Sequence, residues 1–283
     1  MKIAMIELTG KCPRACPTCL PKHLKTGREM MWAEITNIGI QMEAAGFAGV
    51  TFAGFGEPAT HPAIEKAIMY FQEHLGMNVQ VVCRPDNINE VAEANILRIS
   101  VQGWGDAVCV MKNAFDCWIS EDIRIHVVLD RGTAQDRSWR NMLIPQLGIG
   151  IQRISVSLPL VLCDDPVHVQ AVVDSNKEVF PSAWEELRAF RASLPPEKVE
   201  RFRLLGPGDF GDKCAFFNGM IYIDSNLKIR PCCHQPLGLE LGDLNRQSVC
   251  QVLDSDVWKN WQSTGKKSAA CQRCPDLGVS RDG

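Results

Sequence analysis

Long apolar runs are missing from this 283-residue chain: no segment approaches the ~18 consecutive apolar residues that a membrane-spanning helix needs. A strong excess of charge is missing too, since the net charge is −3, so neither nucleic acid nor an anionic membrane is an expected partner. The N-terminus shows no basic segment followed by an apolar stretch and a small-residue cleavage site, which leads to the expectation of a soluble, cytoplasmic protein. Repeats of solenoid period and low-complexity tracts are absent as well. What is present is an ordinary globular composition, 46% hydrophobic and 22% charged, enough for one large domain or one large and one small.

Cysteine is the exception, with thirteen residues. The number is odd and no secretion signal accompanies it, so a disulfide framework explains it poorly and metal explains it better. Cys12, Cys16 and Cys19 crowd one end; Cys214, Cys232, Cys233, Cys250, Cys271 and Cys274 crowd the other. Cys83, Cys109, Cys117 and Cys163 lie singly or in apolar runs and read as small buried hydrophobes.

Between the clusters, strand and helix patterns alternate. "KIAMIEL", "GVTFAGF", "NVQVVC", "ILRISVQG", "DIRIHVVLD" and "GIQRISVSLPL" read as six strands. "EITNIGIQMEAAG", "HPAIEKAIMYFQEHLG", "NINEVAEAN" and "SAWEELRAFRASL" read as helices, the last stopped by Pro195 and Pro196. Such alternation implies βαβ units on a parallel sheet. Six units before about residue 200 fit an open, partial (β/α)6 barrel of the TIM type, because a closed eight-unit barrel takes roughly 250 residues. Glycines and a proline at 206–211 mark a linker, which divides the chain into 1–205 and 206–283. Beyond it, "GMIYIDSNLKIRPCC" reads as a hairpin and "QSVCQVLDSDVWKNWQS" as helical. This small appendage needs a staple such as a metal centre.

The loop "LTGKCPRACPTCL" would stand at the C-terminal end of the first strand, where barrels of this kind build active sites. Three thiolates on a four-iron cluster leave one iron free for a small molecule. The same three with His23 would instead complete a structural zinc site. At the end of the second strand, "GFGEP" (Gly54, Phe55, Gly56, Glu57, Pro58) is either a β-turn or a place where backbone approaches a ligand closely, with Glu57 able to accept from an ammonium.

CxxxCxxC followed by GFGEP resembles the radical S-adenosylmethionine (radical SAM) enzymes. The resemblance implies a [4Fe–4S] cluster on Cys12, Cys16 and Cys19 and a GGEP-type turn that holds the methionyl amino group. It also implies, through "ISVQG", a contact of Ser100 with the methionyl carboxylate or ribose, and of Asp130 with a ribose hydroxyl. "YIDSNLKIRPC" and the later CxxC resemble the SPASM/Twitch appendages of the same superfamily. That implies an auxiliary [4Fe–4S] cluster on Cys214, Cys232, Cys271 and Cys274, with Cys233 as the rival of Cys232 and a zinc ribbon as the alternative. Leu227 stands where glycine is usual in those hairpins, so Asn226 is expected to make the turn. Cys250 lacks a CxxC partner, which favours one auxiliary cluster over two.

The function implied is reductive cleavage of S-adenosylmethionine (AdoMet) to a 5′-deoxyadenosyl radical, abstraction of a substrate hydrogen atom and completion of a two-electron oxidation through the auxiliary cluster. An alcohol-to-ketone conversion on a sugar or aminocyclitol is the leading expectation, with Arg84 and Arg203 positioning substrate or assisting proton removal. A flavodoxin or ferredoxin would supply the electron. Maturation of a ribosomal peptide is the second reading and a non-catalytic iron–sulfur or zinc scaffold the third.

Overall fold

The computed structural model describes residues 2–14, 16, 19, 27–102, 104–117, 122–129, 131–157, 172, 182–205, 216, 219–233 and 239–264. Seven parallel strands follow one another across the sheet: β1 (Lys2–Ile6), β2 (Phe47–Phe52), β3 (Asn78–Cys83), β4 (Ile96–Val101), β5 (Asp122–Val128), β6 (Arg153–Ser157) and β7 (Phe202–Leu205). The helices are α1 (Trp32–Ala44), α2 (Ile64–Met69), α3 (Trp104–Cys117), α4 (Arg131–Gln135), α5 (Ser138–Leu143), α6 (Ser182–Ser193), α7 (Val249–Asp254) and α8 (Asp256–Thr264). The result is an α/β fold of the partial-barrel type.

Alternation along each strand sets the two faces of the sheet. Val79 and Val81, Leu97 and Ile99, Ile123 and Ile125, and Ile154 and Val156 join one core with Ile35, Ile38 and Met42 of α1, Ile68 of α2, Val110 of α3 and Leu143 of α5. This helix-covered face is the outside of the barrel. The intervening residues point to the inner face, and many are polar: Gln80, Arg98, Ser100, Arg124, His126, Arg153, Ser155 and Ser157.

Several elements depart from the sequence reading. β7 adds a seventh parallel strand; at four residues it is too short to show a period. α3 fills a stretch to which the sequence assigns no element, because Gly103 and Gly105 obscure the helical spacing of the buried Ala107 and Val110. "NINEVAEAN" is not a helix opened by Asn87 but the end of a 3-10 segment, Pro85–Val91, with a kink at Asn87.

The C-terminal hairpin, β8 (Ile221–Ile223) and β9 (Lys228–Arg230), is not a detached appendage. β8 pairs in parallel with β1, and β10 (Gly242–Asp243) closes the edge, so the order is β10-β9-β8-β1 through to β7. The turn also differs from expectation: Leu227 itself takes the left-handed conformation, with φ of 65°. That conformation costs a leucine roughly 1–2 kcal/mol. It is offset by burial of the side chain and by bonds from the Leu227 amide to the Asp224 carbonyl (2.9 Å) and from the Leu244 amide to the Leu227 carbonyl (2.9 Å). Among the described residues no helix is long and apolar enough to cross a membrane.

Candidate functional site

The cysteine loop leaves β1 through Thr9 and is held from three directions. The Gly10 amide donates to the Arg28 carbonyl (2.8 Å), and the Glu57 amide donates to the Lys11 carbonyl (2.8 Å). Arg14, inside the CxxxCxxC spacing, reaches Asp86 (3.0 Å) and Asp106 (3.1 Å). Asp106 also accepts from the Gln102 amide (2.7 Å) and pairs with Arg84. The loop therefore hangs from α3 and from the segment after β3 through one buried carboxylate. Cys12, Cys16 and Cys19 are half-buried, and the Cys19 amide donates to the Cys16 carbonyl (3.0 Å), which turns the last two thiols onto one bend. A cavity of about 460 Å³ opens beside Cys12, lined also by Gly10, Lys11, Pro13, Gly27, Glu29 and Thr60.

The GFGEP turn packs against this loop so closely that two glycines are obligatory. A Cβ on Gly56 would overlap the Thr9 carbonyl, and one on Gly54 would strike the Glu7 side chain. Glu7, buried one residue beyond β1, ties the region together. It accepts from the amides of Phe55 (2.7 Å) and Gly56 (3.4 Å), and from the amide (3.3 Å) and hydroxyl (3.1 Å) of Ser225 in the hairpin turn. Arg28 bridges the same turn to α1, donating to the Ser225 carbonyl and pairing with Glu34 at 2.5 Å. Pro58 starts a 3-10 turn, where a missing N–H costs nothing.

Glu57 is the chemically poised member. It is buried and accepts from the Arg84 amide (3.3 Å). Burial outweighs that bond and the nearby guanidinium, and pushes its carboxyl up to about 7 from 4.5. A carboxyl raised on folding stabilises the fold fully below its ordinary value and loses that contribution as pH rises through about 7. The apo-protein should thus lose thermal stability between about pH 4.5 and pH 7. Glu57→Gln, isosteric with the protonated form, should flatten that part of the profile. Parallel melting curves of the two proteins would sink the assignment.

The remaining expected site residues fall in different places. Ser100 is half-buried on the inner face of β4, level with His126 of β5, whose Nε2 lies 2.9 Å from the Ser157 hydroxyl. Arg84 is buried against Asp106, which makes it part of the loop's anchor. Arg203 is exposed on β7. Cys232 is buried with Phe216 and Tyr222, and Cys233 packs beside them half-buried. Asp130, Cys214, Cys271 and Cys274 lie outside the described residues, as does His23. Arg14, Asp106, Glu7 and Arg28 went unnoticed in the sequence. Only Arg14 carried a local signal, its place within the cysteine spacing.

Among the described residues no three His, Cys, Asp or Glu side chains converge closely enough to hold a metal ion. The donor set nonetheless fits an iron–sulfur cluster with an open iron. Three half-buried thiols share one loop, and the nearby His61 is committed to the Met30 carbonyl (2.9 Å) and the Ala63 amide (3.1 Å), so it completes no zinc shell. A buried carboxyl, Glu57, with no ion pair among the described residues stands next to that loop.

Residues 214–275 match the family described as SPASM, an iron–sulfur cluster-binding domain. The chain carries a SPASM domain. The hairpin β8–β9 and helices α7 and α8 lie within the matched segment. No curated protein matches the chain. Among solved structures, SuiB of Streptococcus suis bound to its precursor peptide SuiA is similar in fold at 14% identity and a TM-score of 0.66, over 99% of this chain and 71% of SuiB. The structure of anSMEcpe with AdoMet and the Kp18Cys peptide is similar at 11% identity and a TM-score of 0.60, over 97% of this chain and 86% of that one. BtrN with AdoMet and 2-DOIA aligns over 99% of this chain and 95% of its own at 14% identity, with a TM-score of 0.49. At these identities the likeness to SuiB and anSMEcpe is one of fold, the partial barrel.

Proposed function

We propose that the chain is a radical SAM oxidoreductase, with a core at 1–205 and a SPASM-type auxiliary-cluster domain at 206–283. Cys12, Cys16 and Cys19 would hold a [4Fe–4S] cluster with an open iron. Glu57 and the Gly54–Gly56 backbone would hold the amino end of AdoMet, and Ser100 and Asp130 would contact its other polar groups. Cys214, Cys232, Cys271 and Cys274 would hold the auxiliary [4Fe–4S] cluster. Bound there, the first cluster and AdoMet would supply a 5′-deoxyadenosyl radical, and the auxiliary cluster an acceptor for one electron.

The observation that carries this reading is the pairing of β8 with β1. β8 runs parallel to β1 and β9 runs back, so Cys232 lies level with the start of β1 while Cys12 lies just beyond its end. Cys12 and Cys232 thus stand toward opposite ends of one strand. A substrate against the inner face would lie between them, with hydrogen removal at one end and electron exit at the other. Glu7, bonded to both the GFGEP turn and the hairpin turn, fixes that spacing. For a secondary alcohol the radical and the auxiliary cluster would together supply a two-electron oxidation: the carbinol would give up one hydrogen atom, one proton and one electron, and a ketone would remain. Arg84 and Arg203 are weak candidates for the proton step, the first because it is tied to Asp106. The reduced state of the first cluster would come from a flavodoxin or ferredoxin.

The test is transfer of label. A carbinol-deuterated substrate, found by screening sugars and polyols, should place one deuterium in each 5′-deoxyadenosine and yield one ketone. Peptide modification is the second reading, favoured by the peptides bound in the SuiB and anSMEcpe structures. Deuterium arriving from a labelled peptide, with no small molecule active, would establish it instead.

A further inference from the structure

Four arginines line the inner face of the sheet. Arg98 of β4, Arg124 of β5 and Arg153 of β6 are register partners of one another, which puts three guanidinium-bearing side chains in a single row. Arg203 of β7 stands one layer higher, opposite Ser155. Neighbouring strands lie ~4.8 Å apart, and like charges set opposite each other destabilise a sheet. The members of the row are half-buried, so they have not simply splayed into water. Among the described residues one carboxylate, Asp122, faces them, and it lies 2.9 Å from Arg124. Burial and mutual repulsion push the Arg98 and Arg153 guanidiniums below their ordinary range. Ser100, His126 and Ser155 add hydrogen-bonding groups in the layer above. Charge that is only partly compensated among the described residues destabilises the protein without a ligand and would be neutralised by an anion.

We propose that the arginine row is an anion-binding subsite of the substrate cavity, and that the substrate carries a phosphate or carboxylate group there. The substrate class rests on the oxidoreductase reading; the subsite does not. Guanidinium forks bind both oxyanions in bidentate fashion. The row lies toward the N-terminal ends of the strands, away from the cysteine loop and near Cys233. An anchored oxyanion would leave the rest of the molecule pointing up the strands toward Cys12–Cys19. A sugar phosphate or sugar acid fits this wall, whereas a free aminocyclitol would bring ammonium groups against it.

The experiment titrates the holoenzyme, reconstituted without oxygen and at fixed ionic strength, with inorganic phosphate, glucose 6-phosphate, glucuronate and glucose, following the melting temperature. Saturable stabilisation by phosphate is expected, and none by glucose. Glucose 6-phosphate against glucuronate separates phosphate from carboxylate recognition. The Arg98→Gln/Arg153→Gln protein should need at least about tenfold more phosphate for half-saturation. Arg98→Lys/Arg153→Lys keeps the charge and should retain most of the effect, which guards against a folding artefact. Equal phosphate response in the Gln and native proteins, or no saturable response in the native one, overturns the proposal. So does a matching loss of AdoMet affinity in the Gln protein, since the row would then hold the cofactor's carboxylate. If the native protein makes no 5′-deoxyadenosine yet binds phosphate through the row, the oxidoreductase reading fails and the subsite stands.

Discussion

Cys16→Ala should reduce 5′-deoxyadenosine formation to background while leaving the protein folded. Cys12, Cys16 and Cys19 are the proposed ligand set, and His61, nearby among the described residues, is committed to the Met30 carbonyl. The backbone around Cys16 does not depend on its sulfur. The Cys19 amide bonds the Cys16 carbonyl, and Arg14 anchors the loop to Asp86 and Asp106. Truncation of a half-buried loop side chain costs within ~1 kcal/mol, so the melting temperature of the apo-protein should hardly move. The variant should also lose about half of its iron, the auxiliary cluster persisting with its full thiolate shell. Retained cleavage would remove the loop from the radical site.

Cys271→Ala should divide the activities in the opposite way, losing substrate oxidation while continuing to cleave AdoMet without coupling. The hairpin that bears Cys232 stays in place without its cluster. β8 is hydrogen-bonded to β1, and the Glu7 carboxylate holds Ser225. Loss of a thiolate ligand should therefore remove the electron acceptor and leave the GFGEP turn intact. The comparison is 5′-deoxyadenosine and oxidised product counted in the same reaction. Equal loss of both would contradict an acceptor role.

The sequence displayed the parallel strands of the core well because each buries one face, and alternation at period two survives in single residues such as Leu97, Arg98, Ile99 and Ser100. It displayed the two motifs because their spacing is local. It hid β7, whose four residues complete no pattern, and the positive φ of Leu227, which is held by tertiary burial rather than by residue type. It also hid the anchors. Glu7 meets Ser225 across 218 positions of chain, and Arg14 meets Asp106 across 92. The arginine row follows the same rule: each member looks like an ordinary polar position on its own strand, and only the register of β4, β5 and β6 shows that three of them stand side by side.

Iron and acid-labile sulfide, measured on the protein reconstituted without oxygen and followed at once by an AdoMet cleavage assay under dithionite, test the central claim most directly. About eight irons per chain, with 5′-deoxyadenosine formed, is the expected result. Zinc in place of iron, with no cleavage, would contradict it and leave a metal-stapled scaffold.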